Sequence, residues 1–314
     1  MTSKRSGATG VAAATGASRR ILVIFNPAAG WRRRPKVERA VKSLRARGAS
    51  VEVVATAGPG DAGRIAAAAA AERYDAIAIA GGDGTINEAV NGLIAVAPER
   101  RPPLGIIPVG TANVLAHDLV SADMEPALEV LIRGEPLVVH PGCANGRRFM
   151  MMAGVGFDAR CVRRVDPALK RLISKGAYVW AGIAEICTDT RPFYRVLVDG
   201  TEHQVGSAIV ARGRHYAGGY VCAKRARLDR AAFEVCLLSG NRRLDIVRYA
   251  AAIAAGAIEG SAGAAFVAAR ALRVEGPSGE PVQADGDIVA TLPVDLTIDT
   301  DAIRLLHAPA AMAE

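Results

Sequence analysis

A glycine-rich segment carries the most specific chemistry in this sequence. Gly81-Gly82-Asp83-Gly84-Thr85 places three glycines within four residues, after an apolar run and before a helical pattern. Glycines let a ligand approach the main chain closely, and the free N–H groups of a helix N-terminus attract anions. The Thr85 hydroxyl can cap the helix or bind phosphate, whereas the Asp83 carboxylate suits a phosphate site only if a metal ion or a hydroxyl donor lies between them. The alternative is a tight strand-to-helix turn that Asp83 caps.

Two further loops follow apolar runs and carry similar residue types. In the loop that contains Gly110 and Thr111, the side chains of Thr111 and Asn113 can hydrogen-bond a nucleotide or order the loop. Asn26-Pro27-Ala28-Ala29-Gly30 follows the first apolar run, and the Asn26 amide can both donate and accept, as base or ribose recognition requires. Taken alone, each loop also fits an ordinary turn.

The elements around these loops must position them, and the first half of the chain alternates strand and helix patterns. Predicted strands occupy residues 21–25, 51–56, 76–80 and 104–107. Predicted helices occupy residues 35–47, 61–72, 86–97 and a segment that starts near Ala112. This alternation predicts an α/β domain with a doubly wound, mostly parallel sheet. Since ligands bind such sheets at the carboxyl ends of the strands, we expect the three loops to converge on one site.

After about Pro136 the pattern changes to short strands separated by turn residues, which is typical of a mostly antiparallel β domain. Predicted strands occupy 137–140, 149–153, 194–198, 206–211, 233–238, 271–274, 288–292 and 296–298, with helices at 167–187 and 244–258. The predicted divisions are a tail at 1–19, an α/β domain at 20–136, a β domain at 137–308 and a tail at 309–314.

Composition narrows the class of protein. Hydrophobic residues make up 51% and charged residues 22% of the 314 residues, which excludes intrinsic disorder for most of the chain. The net charge of +8 indicates an anionic partner such as a nucleotide, a nucleic acid or an acidic lipid surface. The five cysteines show no CxxC spacing, so a reducing cytosol is favoured over a disulfide framework or a zinc site. The longest apolar run, at 249–258, is too short to span a bilayer, and the first twenty residues predict a tail rather than a signal peptide.

The chain lacks the GxxxxGK[ST] phosphate loop, a Rossmann GxGxxG and the protein-kinase motifs. It resembles instead the diacylglycerol kinase catalytic-domain family, which includes bacterial lipid kinases and sphingosine kinases. The glycine-rich segment alone is shared with NAD kinases, and its combination with Pro108-Val109-Gly110-Thr111-Ala112-Asn113 makes the resemblance specific. The matching segments are 26–30, 81–93, 103–113, 154–159 and 284–287, and by their order and spacing the resemblance covers about residues 20–308.

This resemblance implies a nucleotide-binding α/β domain, a C-terminal β-sandwich and an active site in the cleft between them. It implies transfer of the ATP γ-phosphate to a lipid hydroxyl, with Mg²⁺ bridging the ATP phosphates. The nucleotide-binding residues it implies are Asn26, Pro27, Gly30, Thr56, Gly81, Gly82, Asp83, Gly84, Thr85, Asn87, Glu88, Gly110, Thr111 and Asn113.

The family's proton-accepting carboxylate lies in an Asp-Gly-Glu segment, which here reads Asp285-Gly286-Asp287. The resemblance therefore implies Asp287, Asp285 and Asp83 as catalytic residues, with the base left open between Asp285 and Asp287. Spacing alone would favour a surface β-turn at this segment. A second departure lies at 228–233, where Arg230 stands in place of an aspartate that supports a structural Mg²⁺ site in many bacterial members. Its neighbour Asp229 is the candidate metal ligand, and either the metal site is lost or Arg230 replaces its charge.

The predicted protein is a cytoplasmic, ATP-dependent lipid kinase that visits the membrane surface. Its acceptor is a diacylglycerol-like, phosphatidylglycerol-like or sphingoid lipid, no nucleic acid is expected as a partner, and a homodimer stays open. The run Met150-Met151-Met152 is predicted to be core, with an acyl-chain pocket as the alternative. The alternative functions are an NAD kinase-like enzyme and a nucleotide- or lipid-binding regulator that has lost catalysis.

Overall fold

The computed structural model describes residues 18–27, 33–110, 112–120, 122–164 and 191–308. The strands of this part of the chain are β1 Arg20–Phe25, β2 Ser50–Ala55, β3 Ala76–Gly81, β4 Leu104–Pro108, β5 Glu135–Val139, β6 Gly142–Ala144, β7 Arg147–Phe149, β8 Met152–Val155, β9 Tyr194–Val198, β10 Thr201–Val205, β11 Ser207–Ala211, β12 His215–Tyr216, β13 Tyr220–Val221, β14 Phe233–Leu238, β15 Ala264–Ala269, β16 Ala271–Glu275, β17 Pro281–Ala284, β18 Asp287–Thr291, β19 Val294–Ile298 and β20 Ile303–His307. The α-helices are α1 Arg34–Ala46, α2 Asp61–Ala69, α3 Asp83–Ile94, α4 Val114–Leu119, α5 Met124–Arg133, α6 Phe157–Arg164 and α7 Arg243–Ala254.

The N-terminal sheet has the strand order β2-β1-β3-β4-β20-β5. Strands β2, β1, β3, β4 and β20 run parallel, and only β5 is antiparallel to its neighbour. Every residue of β3 and β4 is buried, because helices cover both faces of the sheet. The α/β domain with a mostly parallel sheet is therefore confirmed.

Helices α2 and α3 pack unusually close to each other, because two glycines face each other at their crossing. A Cβ atom placed on Gly92 of α3 would lie 2.1 Å from the carbonyl oxygen of Gly63 in α2. No larger residue fits there without moving a helix. This close packing helps to fix the position of α3, whose first residue is Asp83.

The C-terminal domain packs two antiparallel sheets face to face. Their strand orders are β10-β9-β16-β19-β6-β7 and β15-β14-β11-β8-β17-β18. Alternate side chains of both sheets fill the interior, where the largest are Phe149, Tyr194 and Phe233. The antiparallel C-terminal sandwich is confirmed.

Two strands differ from their predicted location. The sequence placed residues 137–308 in the β domain, but β5 and β20 complete the N-terminal sheet. Ile303, Leu305 and Leu306 are buried there against β4 and β5. A strand of five residues carries no local signal of its partner, so its return to the first sheet could not be predicted. The chain consequently crosses between the two domains twice.

Other element boundaries also differ from the prediction. Helix α3 begins at Asp83 instead of residue 86, so the glycine-rich segment forms its first turn. The predicted strand at 149–153 is interrupted at Met150 and Met151, and the predicted helix at 244–258 ends at Ala254. The predicted helix at 167–187 lies outside the described residues. Within the described residues, no helix is long and apolar enough to cross a membrane.

Candidate active site

The glycine-rich segment joins the end of β3 to the start of α3. Gly82 precedes the helix with extended backbone, and its carbonyl accepts hydrogen bonds from the N–H groups of Thr85 and Ile86, at 2.9 and 3.2 Å. The buried Thr85 side chain packs on Gly81, where a Cβ atom would lie 2.7 Å from it. The N–H groups that precede these two bonds, at the very start of the helix, have no intrahelical carbonyl to bond, which is the arrangement that binds anions.

Neighbouring strands bring two predicted residues to the same edge. Asn26, which follows β1, donates from Nδ2 to the Oγ1 atom of Thr85 at 3.0 Å. Thr56, which follows β2, is buried and its N–H group donates to the Phe25 carbonyl at 2.8 Å. The carboxyl ends of β1, β2 and β3 therefore meet at the start of α3.

The loop after β4 contacts the glycine-rich segment backbone to backbone. A Cβ atom on Gly110 would lie 2.9 Å from the Cα atom of Gly82 and 2.4 Å from the Oδ1 atom of Asn113. Asn113 adopts a left-handed conformation with φ of 48°, and its Nδ2 atom donates to the Gly110 carbonyl at 3.1 Å. The Asn113 side chain thus orders this loop. The N–H group of Leu115 donates to Oδ1 of Asp83 at 3.4 Å.

The β17–β18 hairpin of the sandwich reaches this edge from the other domain. Its two turn residues, Asp285 and Gly286, have φ of 48° and 85°, as a two-residue turn with both central residues at positive φ requires. The β-turn that spacing favours at this segment is therefore present, but the Asp285 carboxylate points inward. It accepts main-chain N–H groups from Met150, Met151 and Met152, at 2.6, 2.9 and 3.1 Å.

Asn87 links this hairpin to the N-terminal domain. Its Nδ2 atom lies 3.0 Å from Oδ2 of Asp285 and 3.1 Å from the Arg148 carbonyl, and its Oδ1 atom accepts from Asn91 at 2.6 Å. The Asn87 side chain, which the resemblance implied for nucleotide binding, is engaged with the other domain.

Asp287 is the first residue of β18 and is exposed. Its Oδ2 atom lies 3.8 Å from the position that a Cβ atom on Gly84 would occupy. An exposed carboxylate of the sandwich therefore faces the first turn of α3 across the domain boundary.

The acidic groups of this site are electrostatically coupled. Burial, and secondly the negative charge of Asp285, raise the pKa of Asp83 to about 6, although main-chain N–H groups oppose the shift. Burial also raises the pKa of Asp285, and the hydrogen bonds from residues 150–152 and Asn87 oppose it. Bound positive charge near these two carboxylates would relieve their repulsion.

The remaining predicted site residues are placed as follows. Pro27 directly follows Asn26, and Glu88 lies in α3 with its carbonyl oxygen 2.7 Å from the position of a Cβ atom on Gly63. Gly30 and Thr111 lie outside the described residues. The structure thus brings the described parts of all three predicted loops, together with the Asp285–Asp287 segment, close to the first turn of α3.

Sequence reasoning did not find the main-chain N–H groups of residues 150–152. The methionine run was predicted as core or acyl pocket, and all three methionines are buried. Their contribution to the site comes from the backbone, which side-chain types do not signal. The break in the strand pattern at these residues was the available signal, because N–H groups outside a ladder need other acceptors.

The candidate metal ligand Asp229 lies in a different environment. Its carboxylate is paired with Arg227 through two contacts of 2.9 and 2.6 Å. Beside it the fully buried Arg212 donates to the carbonyls of Leu228, Arg230 and Ala232, at 2.9, 2.6 and 2.6 Å, and to that of His140 at 2.9 Å. A guanidinium of the chain itself therefore occupies the carbonyl-lined loop, and these residues do not fit an additional Mg²⁺ ion.

Burial lowers the pKa of Arg212 to about 10, and the charge of Asp229 opposes this shift, so the guanidinium stays charged at neutral pH. We expect Arg212→Met to lower the free energy of unfolding by about 3–5 kcal/mol, because four buried carbonyls lose their donor. Urea denaturation with and without Mg²⁺ measures this. A wild-type midpoint in the variant, or full recovery on adding Mg²⁺, would contradict a structural role for this cation.

Comparison with known proteins gives the family. The model described as "Diacylglycerol kinase catalytic domain" matches residues 20–144, and the model described as "YegS C-terminal NAD kinase beta sandwich-like domain" matches residues 151–307. Two curated relatives named "Probable lipid kinase YegS-like", from Yersinia enterocolitica and Cronobacter sakazakii, are each 32% identical to this chain. The alignments cover 66% and 65% of this chain, and 72% and 70% of the relatives.

Solved structures agree with this result at the level of the fold. A crystal structure of a diacylglycerol kinase from Bacillus anthracis str. Sterne has a TM-score of 0.71 at 23% identity and covers 94% of this chain and 99% of its own. Yeast NADH kinase complexed with NADH has a TM-score of 0.52 at 12% identity, covering 94% and 85%. The two matched models and the relatives place the sequence more narrowly: this chain belongs to the diacylglycerol kinase catalytic-domain family of lipid kinases, in the form that carries a YegS-type C-terminal domain.

Proposed function

We propose that this protein transfers the γ-phosphate of ATP to the hydroxyl group of a membrane lipid. One observation carries the proposal: the glycine-rich start of α3 and the Asp285–Asp287 hairpin meet across the domain boundary, with Oδ2 of Asp287 3.8 Å from the Cβ position of Gly84. An anion-binding helix N-terminus then faces an exposed carboxylate. Phosphoryl transfer needs these two parts, because it depends on positioned phosphates and an oriented acceptor.

The N-terminal domain would hold the nucleotide. Gly82 and Gly84 leave main-chain N–H groups open to phosphate oxygens, and no protein atom lies within 4 Å of the Cβ position of Gly82. The Asn26–Thr85 hydrogen bond ties the end of β1 to the same helical turn. Larger side chains at Gly82 or Gly84 would fill the space that we assign to the phosphates.

Asp287 is the better candidate for the base. The Asp285 carboxylate already accepts three main-chain N–H groups and the Asn87 amide, so it holds the hairpin in place. Asp287 lies exposed on the cleft side of the same turn. In the proposed reaction the lipid oxygen bonds to the γ-phosphorus, the bond from that phosphorus to the β–γ bridging oxygen breaks, ADP leaves, and the hydroxyl proton goes to Asp287.

The donor set around Asp83 fits a bound Mg²⁺ ion. The described residues hold no cluster of three or more His, Cys, Asp or Glu side chains suited to a metal. Mg²⁺ in kinase sites is commonly bound by one or two carboxylates together with phosphate oxygens, and Asp83 at the start of α3 would supply one such carboxylate. When bound, the ion would neutralise phosphate charge.

The acceptor is proposed to be a lipid at a membrane surface reached from the cytoplasm. The names of the curated relatives and the net charge of +8, which favours an acidic lipid surface, support this. The candidate lipids are those expected from the sequence, namely diacylglycerol-like, phosphatidylglycerol-like and sphingoid lipids. An inactive regulator and an NAD kinase-like enzyme are the competing functions.

A transfer assay separates these functions. Purified protein is incubated with Mg²⁺, γ-labelled ATP and a total lipid extract in mixed micelles, and in a second reaction with NAD. We expect label in the lipid phase and none in NADP. Binding of ATP without labelled product would indicate a regulator, and label in NADP would indicate an NAD kinase. Omitting Mg²⁺ is expected to abolish the labelled lipid.

A further inference from the structure

A buried carboxylate outside the reaction described above has two donors fixed on it. Asp158, in α6, accepts from the Tyr216 hydroxyl at 2.6 Å through Oδ1 and from Nε2 of Gln283 at 2.5 Å through Oδ2. Tyr216 lies in β12 and Gln283 in β17. Burial raises the pKa of Asp158, and both hydrogen bonds oppose this shift by favouring the charged form. Three separate elements thus converge on one carboxylate.

This group connects directly to the β17–β18 hairpin. The Oε1 atom of Gln283 accepts the main-chain N–H of Gly286 at 3.0 Å. Gly286 lies between Asp285 and Asp287, so the Gln283 side chain contacts the turn that carries both acids. The path from Asp158 to the main chain beside Asp287 therefore consists of two hydrogen bonds.

The direction of these bonds depends on Asp158 being an acid. An ionised carboxylate only accepts, so it turns the Nε2 end of the Gln283 amide toward itself and the Oε1 end toward Gly286. The space around the pair is tight, because a Cβ atom on Gly154 would lie 2.1 Å from Oδ2 of Asp158 and 2.8 Å from Nε2 of Gln283. Gln283 is 2% exposed, so water has little access to its amide.

We propose that Asp158 and Gln283 are positioning residues that orient the Asp285–Asp287 turn for phosphoryl transfer, with Tyr216 fixing Asp158. Neither residue reaches the reacting atoms in this proposal. They act through the main chain of Gly286, which sets the direction of the Asp287 carboxylate. The proposal rests on the proposed function, and its test includes a measurement that does not depend on catalysis.

A donor–acceptor exchange tests the coupling. In Gln283→Glu two carboxylates face each other where a hydrogen bond stood, and we expect kcat to fall about 30–100-fold, as a small misplacement of a catalytic group produces. In the double variant Asp158→Asn/Gln283→Glu the asparagine amide donates to the glutamate, which still accepts from Gly286. We expect this variant to recover most of the lost kcat, with KM for ATP unchanged throughout.

Asp158→Asn alone is expected to lose less kcat than Gln283→Glu, because the asparagine oxygen can still accept from Gln283. A double variant no more active than Gln283→Glu would overturn the proposal. So would a Gln283→Glu variant with wild-type kcat. A merely structural role would lower the melting temperature and the folded fraction without separating kcat from KM, so thermal melts of each variant accompany the kinetics.

Hydrogen exchange of the peptide that covers residues 281–291 gives the catalysis-independent measurement. We expect faster exchange in this hairpin for Gln283→Glu and wild-type exchange for the double variant. If the wild-type protein labels no lipid, the proposed function fails, and this exchange pattern still decides whether the Asp158–Gln283 pair holds the turn. Unchanged exchange in Gln283→Glu would overturn that coupling.

Discussion

Asp287→Asn is expected to lower the rate of lipid phosphorylation by about 10²–10⁴-fold, the range that general acid–base catalysis spans. Asparagine keeps the shape of the side chain but cannot take up the hydroxyl proton. Because Asp287 is exposed at the start of β18, we expect the melting temperature and ATP affinity to stay near wild type. Turnover at saturating ATP and lipid, together with calorimetric titration of ATP, measures both parts.

Asp295→Asn is the matched control. Asp295 lies exposed in β19 and is paired with Arg273 on the surface of the other sandwich sheet, at 2.8 Å. Loss of an exposed ion pair changes stability by at most about 1 kcal/mol, so full turnover is expected. Wild-type turnover in Asp287→Asn would assign the proton to another acceptor and remove Asp287 from the mechanism.

The parts of this site that were predictable are those with a local physical signal. An apolar run followed by Gly81-Gly82-Asp83-Gly84-Thr85 predicts a buried strand and, after it, a tight turn into a helix. Because parallel strands end at one edge, the alternation of strands and helices predicts that the loop with Asn26 and the segment with Thr85 lie at the same edge of the sheet. Short-range pattern and chain topology are sufficient for this half of the cleft.

The other half depends on contacts between distant residues. Asp285 is held by main-chain N–H groups of residues 150–152, and no side-chain type marks a backbone donor. The resemblance indicated Asp285 and Asp287 but not which of the two is exposed to the first turn of α3. That difference became visible only through the hydrogen bonds that occupy the Asp285 carboxylate.

The Arg212 guanidinium is the clearest example of a missed residue. The resemblance pointed to Asp229 and Arg230, which lie in the 228–233 segment. The cation that binds the loop carbonyls comes instead from the end of β11, next to Ala211. A buried arginine in an otherwise apolar strand pattern was the available signal, because such a charge needs several acceptors.

Asp83→Asn is expected to lower kcat/KM for ATP by about 10²–10³-fold and yet to stabilise the protein without ligand. The pKa of Asp83 rises from 3.8 to about 6 on folding, because burial and the charge of Asp285 disfavour the ionised carboxyl. The folded state therefore binds this proton more tightly than the unfolded state. The free energy of unfolding then decreases as the pH rises from about 4 to about 6. Above about pH 6 the full destabilisation by ionised Asp83 is present.

Asparagine removes this cost and can still accept the Leu115 N–H group. We expect Asp83→Asn to raise the free energy of unfolding at pH 8 by about 1–3 kcal/mol, from the size of the shift, and to change it little near pH 4. Urea denaturation at both pH values, without nucleotide or Mg²⁺, measures the difference. If Asp83→Asn changed the free energy of unfolding equally at pH 4 and pH 8, folding would not disfavour the ionised Asp83 carboxylate.

The same charge is what the proposed reaction uses. If ionised Asp83 helps to bind the metal–nucleotide complex, kcat/KM for ATP of the wild-type protein should rise with pH through about 6, since this ratio reports the free enzyme. Removing the carboxylate should lower kcat/KM by about 10²–10³-fold, the size of one preorganised electrostatic contact. If the buried Asp83 charge destabilises the protein and serves the reaction, its removal should raise stability and lower activity together. An Asp83→Asn variant that is less stable but fully active would refute both halves of that argument.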